Sequence, residues 1–248
     1  MQALAGAAIA ILIGASILVA VRLLLLYTRT RGTPEMLLGT MLLLSVGVGY
    51  PASIAATRPD FAWAALFQGI GYVSVSTGFT LLFVFTARVF RPEATWARVL
   101  AGVGSLALLG KAVHGCIQLT HNGVADMTRL PVLDIVLQTV PVAVAYLWTA
   151  CESLHYYGVM RRRVSIGLAD VAVADRFLLW AMMGLACASG VLLNTGAVIA
   201  RMDTFHDARI LIASSVTGLM QTVFLVLAFV PPRAYVSWVR SRSAAPAV

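Results

Sequence analysis

Lys111 is the only lysine among the 18 basic Lys and Arg side chains of this sequence, and it sits inside a long apolar stretch, three residues before His114. A lysine amine withdrawn from water changes its protonation readily and can serve as a charge switch or a nucleophile. Other polar side chains interrupt apolar stretches in patterns of their own. Gln68, Tyr72, Ser76 and Thr80 recur every fourth residue, which places them on one face of a helix. Asp134 and Gln138 share a face by the same spacing, with Thr149 and Glu152 further along it. Asn194 stands alone, and Arg209 precedes Ser214, Thr217 and Gln221. Polar groups in apolar helices are costly, so their placement is the best clue to a site.

Long apolar blocks must position these residues. Hydrophobic residues make up 60% of the chain and charged ones 11%. The apolar blocks are about 20–28 residues long, and a helix needs about 20 to cross a hydrocarbon core. The expected fold is all-α, a single domain of seven transmembrane helices over 4–27, 36–56, 61–88, 96–118, 131–158, 173–200 and 207–230. These spans use nearly all of the 248 residues and leave no soluble domain. The first block lacks the basic start of a signal peptide and reads as a retained span. Turn-forming residues mark the joints: Gly32-Thr33-Pro34, Arg58-Pro59-Asp60, Arg91-Pro92-Glu93, His121-Asn122-Gly123 and Pro231-Pro232. Pro131 opens the fifth span, and Pro141 lies inside it, where a kink is expected.

Arginine sets the orientation. The joints after the first, third and fifth spans, with the tail, carry twelve arginines, including Arg161, Arg162 and Arg163. The opposite side has four: Arg58, Arg129, Arg201 and Arg209. By the positive-inside rule the N-terminus lies outside and the C-terminus in the cytoplasm, in a cell membrane and most simply a bacterial inner membrane. The net charge of +8 is then a matter of topology and anionic lipid, not of nucleic acid.

With that orientation Lys111 lies about 10 Å and Asp134 about 5 Å beneath the outer surface. The fourth and fifth spans should be neighbours, so these two residues are expected to pair, with His114 and Arg209 close by. Gln68, Tyr72, Gln138 and Asn194 would add neutral hydrogen-bonding groups. Two explanations compete. In one, the polar groups stitch helices together, each bond contributing about 0.6–2 kcal/mol. In the other, they line an outward cavity formed by spans three to seven, for a small polar or amphipathic ligand. At the opposite end, Glu152 and Asp175 are placed to pair with Arg161–Arg163, whose joint would face lipid headgroups or a membrane or cytoplasmic protein partner.

Several chemistries lack their residues. Seven spans with this orientation resemble the rhodopsin-like architecture, but the last span has no lysine for a retinal Schiff base. The histidines do not pair at matching depth as bis-His haem would require, and no cofactor is expected. Cys116, Cys151 and Cys187 fall in separate spans and form no metal or disulfide pattern. No phosphate loop, HExxH or nucleophile elbow is present, so an enzyme is the less favoured class. The leading expectation is a receptor-like or sensor bundle. A proton-coupled carrier using Asp134 and Glu152, and an assembly subunit, are its rivals. The stretch between Gln138 and Thr149, apolar apart from Tyr146, opposes a continuous carrier path.

Overall fold

A computed structural model describes residues 2–58, 60–123, 131–204 and 206–244. Pro59 and Arg129, and the side chain of Arg242, lie outside the described residues. Every regular element among the described residues is helical. Helix α1 spans Gln2–Thr30. The second crossing, Thr33–Ala56, consists of α2 (Thr33–Leu42), a π-helical segment (Leu43–Gly49) and α3 (Tyr50–Ala56). There follow α4 (Ala64–Phe90), α5 (Thr95–Asn122), α6 (Val132–Ser165), α7 (Val171–Ile199), α8 (Ala208–Phe229) and α9 (Arg233–Ala244). Seven of these crossings are long and apolar enough to traverse a bilayer. The end of the bundle where α1 begins is termed the N-face, and the end where α9 lies the C-face.

The second crossing shows why its helix widens. Pro51 has no N–H, and its ring would collide with the carbonyl four residues earlier in a regular α-helix. A π-turn opens the ladder just before it, and the Tyr50 N–H bonds Ser45 O, five residues back. Pro51, inside the expected span 36–56, was the sequence signal for that irregularity, one the reading of the joints did not use. Pro141, by contrast, is carried within one continuous helix, α6.

The crossings pack in chain order as a ring that α8 closes against α1, and α4 reaches inward to α6 as well. Small residues allow the close approaches. A Cβ at Gly78 would lie 3.0 Å from Ser45 N, and one at Gly49 2.6 Å from Val75 Cγ2, so α4 and the π-segment meet almost backbone to backbone. Phe79, Leu82, Phe83 and Leu108 fill the core, and Phe79 stacks edge-on against Tyr146 with ring centroids 5.0 Å apart. Leu25, Leu106 and Leu133 are among many large apolar side chains pointing outward, as a lipid-facing surface requires.

Two elements differ from expectation. Helix α6 continues to Ser165, so Arg161–Arg163 ride on a helix rather than a loop. The tail after Pro231-Pro232 forms the twelve-residue helix α9, which folds back onto α7. Tyr235 Oη bonds Asp175 Oδ2 at 2.5 Å, Arg240 Nη2 bonds Asp170 Oδ2 at 2.7 Å, and Val239 is buried. Asp170 also caps α7 by accepting the Ala172 N–H. The Arg240 hydrogen bond, then that N–H, hold the Asp170 carboxyl below its ordinary range, while desolvation and the Asp175 carboxylate push the Tyr235 phenol upward.

Candidate functional site

Helix α5 turns a seam of mostly small residues toward α4: Ala97, Ala101, Gly104, Ala112 and Gly115, with Leu108 as its one large member. A Cβ at Gly104 would strike the Phe83 ring, and one at Gly115 the Tyr72 ring. These two pairs fix an antiparallel register. Moving four residues inward from Tyr72 and from Gly115 sets Ser76 opposite Lys111. Helix α6 supplies the third side. His114 Nε2 lies 3.5 Å from Asp134 Oδ1, and Gln138, one turn deeper, falls at the depth of Lys111.

Six of the eight expected residues therefore share the N-face part of α4, α5 and α6: Gln68, Tyr72, Lys111, His114, Asp134 and Gln138. Gln68 is buried and the other five are half-buried. Lys111 makes no ion pair with a described residue; the acid that was expected to meet it faces His114 instead. Even that contact is within ion-pair reach without hydrogen-bond alignment, and His114 Nε2 is a buried atom with no hydrogen-bond partner. Ser76 Oγ is in the same condition, in a residue that is 3% exposed. Buried polar groups nearly always find partners, so two orphans in one layer are unusual.

The other two expected residues lie elsewhere. Asn194 is on α7, where its Nδ2 donates to Gly190 O at 2.9 Å and to Ser214 Oγ of α8 at 3.3 Å. Gln221 Nε2 donates to Ala186 O across the same helix pair. Arg209 is exposed at the start of α8, where its backbone N–H is capped by Asp207 Oδ1. The residues expected to line one cavity of spans three to seven thus divide between a half-buried layer on α4–α6, an α7–α8 seam with its own hydrogen bonds, and the exposed start of α8.

A second polar constellation, at the C-face, involves residues the sequence had left as orientation signals. Arg91 Nε donates to both oxygens of the buried Glu152, at 3.1 and 2.9 Å, and Trp148 Nε1 lies 3.4 Å from Oε1. Arg91, not the Arg161–Arg163 triplet, is therefore the partner of Glu152; Arg161 instead donates to Tyr157 Oη at 3.2 Å. Thr86 and Thr149 share a 2.7 Å hydroxyl bond between α4 and α6, and Tyr156 Oη donates to Phe90 O. The signal was present: Arg91 follows the third span directly, and Glu152 lies at matching depth in the fifth. Between the two constellations Tyr50 and Tyr146 interact, beside the Cys187 thiol.

Among the described residues no three His, Cys, Asp or Glu side chains converge on a metal position. Comparison with protein-family models, with curated proteins and with solved structures finds no match for this chain.

Proposed function

We propose that the chain is a receptor-like bundle of the cell membrane, its C-face in the cytoplasm, binding a small polar or amphipathic ligand in the α4–α6 layer. The observation that carries this reading is the pair of orphaned buried atoms, Ser76 Oγ and His114 Nε2, in the layer that also holds Lys111 and Asp134. Such a layer offers donors and acceptors to a guest at little cost to the protein's own bonds. The same helices α4 and α6 run to the Arg91–Glu152 and Thr86–Thr149 contacts, so a guest that shifts one against the other would strain those contacts. Arg161–Arg163 and α9 would present the consequence to a membrane or cytoplasmic partner.

The test is thermal unfolding of the detergent-solubilised protein against a panel of small carboxylates, amines and amphiphiles. At least one compound should stabilise the wild type and lose that effect in Lys111→Met. A panel without effect on the wild type would count against the reading.

The Tyr50–Tyr146–Cys187 group favours a second reading, a proton-coupled carrier, because it places polar groups in the stretch that otherwise separates the two constellations. That reading requires proton flux in proteoliposomes that Asp134→Asn and Glu152→Gln abolish. The tight Phe79–Tyr146 packing in the same stretch favours the receptor.

A further inference from the structure

A cavity of about 480 Å³ lies against α4 and α5 at the C-face, away from the α4–α6 layer. Its walls include Arg88, Arg98, Ala87, Ala101, Gly102 and Ser105. Arg88 and Gly102 are exposed on the bundle surface, as are Val99, Val103 and Leu106 alongside, so the cavity is a groove on the lipid-facing side. Both guanidiniums stand within three residues of a helix end, at headgroup depth. From there the groove runs inward to Ser105, ten residues into α5, a length of about 15 Å.

Charge in the groove is one-sided. Among the described residues the one acid paired with either arginine is Glu93, 3.9 Å from Arg98 and almost fully exposed, and Arg88 pairs with none. Arg98 also donates to Pro92 O, which holds its guanidinium across the mouth. A positive mouth leading into a long trough of small residues, apolar apart from Ser105 at its inner end, matches an amphiphile with an anionic head. We infer that this groove binds an anionic phospholipid, its phosphate between Arg88 and Arg98 and one acyl chain along Ala101, Gly102 and Ser105. A free phosphate would use the mouth and leave the trough empty, so the trough points to the lipid.

The experiment is native mass spectrometry of the detergent-solubilised full chain titrated with dioleoyl phosphatidylglycerol and, separately, dioleoyl phosphatidylcholine. The wild type should retain phosphatidylglycerol selectively, and excess inorganic phosphate should not displace it. Arg88→Gln with Arg98→Gln should reduce that selectivity roughly thirtyfold, the factor two surface guanidiniums contribute near an anionic head. Gly102→Leu keeps both charges and meets nothing within 4 Å at its Cβ, so it should fold normally yet expel the chain. Arg161→Gln with Arg162→Gln is the control and should leave retention intact. The inference fails if the Arg88/Arg98 variant or Gly102→Leu retains the lipid like the wild type, if the control loses it equally, or if inorganic phosphate competes it away. Gly102→Leu settles the matter if the double variant does not fold.

Discussion

The two ends of the α4–α6 pair are built from similar residues and treated in opposite ways. At the C-face the carboxylate, the guanidinium and the hydroxyls of Thr86, Thr149, Ser153 and Tyr156 all have partners. Among the described residues the orphans of that half sit on other helices: Glu35 Oε2 in the first turn of α2, and the indole N–H of Trp180 on α7, packed among aromatic rings. At the N-face Ser76 and His114 carry unpartnered atoms, and Asp134 reaches His114 only at 3.5 Å. A satisfied buried network rigidifies the helices it joins, whereas a half-satisfied layer costs stability that only a guest can recover. The C-face is thus the better satisfied end of the α4–α6 pair, and under the proposed receptor reading the N-face is where a guest would act.

Breaking the C-face contacts should have the largest effect. Arg91→Ala leaves Glu152 buried without its counter-charge and should cost about 3 kcal/mol, read as a lowered unfolding midpoint in detergent. If the loss is negligible, the C-face contacts are not what holds α4 to α6. Next come the threonines. Thr86→Val and Thr149→Val should each cost about 1 kcal/mol, and the double variant less than the sum, because one shared hydroxyl bond is lost in either case. Full additivity in this cycle would show that the 2.7 Å contact has no energetic content.

Acid should act on α9 before it acts on the bundle. Asp170 has a folded pKa below its unfolded value, so its contribution is present above the ordinary carboxylate range and is lost as pH falls through the folded value. A spin label or fluorophore on α9 should gain mobility on acidification while the seven crossings remain helical; Asp170→Asn should show that mobility already at neutral pH. Smallest of all is the N-face. Asp134→Asn and His114→Gln should each change stability by under about 0.5 kcal/mol, since neither contact is well made. A large loss there would mean that the layer, too, holds the helices together.

The crossings were legible because length and apolarity alone decide them, and the observed helices fall close to the expected blocks, except that α6 runs seven residues past the expected end of the fifth. The shared face of Gln68, Tyr72 and Ser76 was legible too, because a four-residue repeat on a helix admits one geometry. What sequence could not supply was lateral position. Consecutive spans were expected to adjoin, but nothing in the order of residues says that α4 reaches α6, or that α7 and α8 close their own seam and take Asn194 away from Lys111. Partner choice within reach was equally hidden. Asp134 had Lys111 and His114 available at similar depth, and helix rotation decided for His114. Helix α9 escaped notice because it is short and carries three arginines, and its order comes from contacts with Asp170 and Asp175 sixty and more residues earlier.

Because Lys111 is the only lysine, an amine-specific reagent reports on the N-face layer without engineering. Intact vesicles are treated with a membrane-impermeant acylating reagent, and modification of Lys111 is located by peptide mass spectrometry, with detergent-denatured protein as the full-labelling reference. A water-accessible guest layer predicts that Lys111 is acylated in the folded protein from the N-face side alone. A lysine that stays unmodified until the bundle is denatured would mean the layer is sealed, and the receptor reading would be wrong.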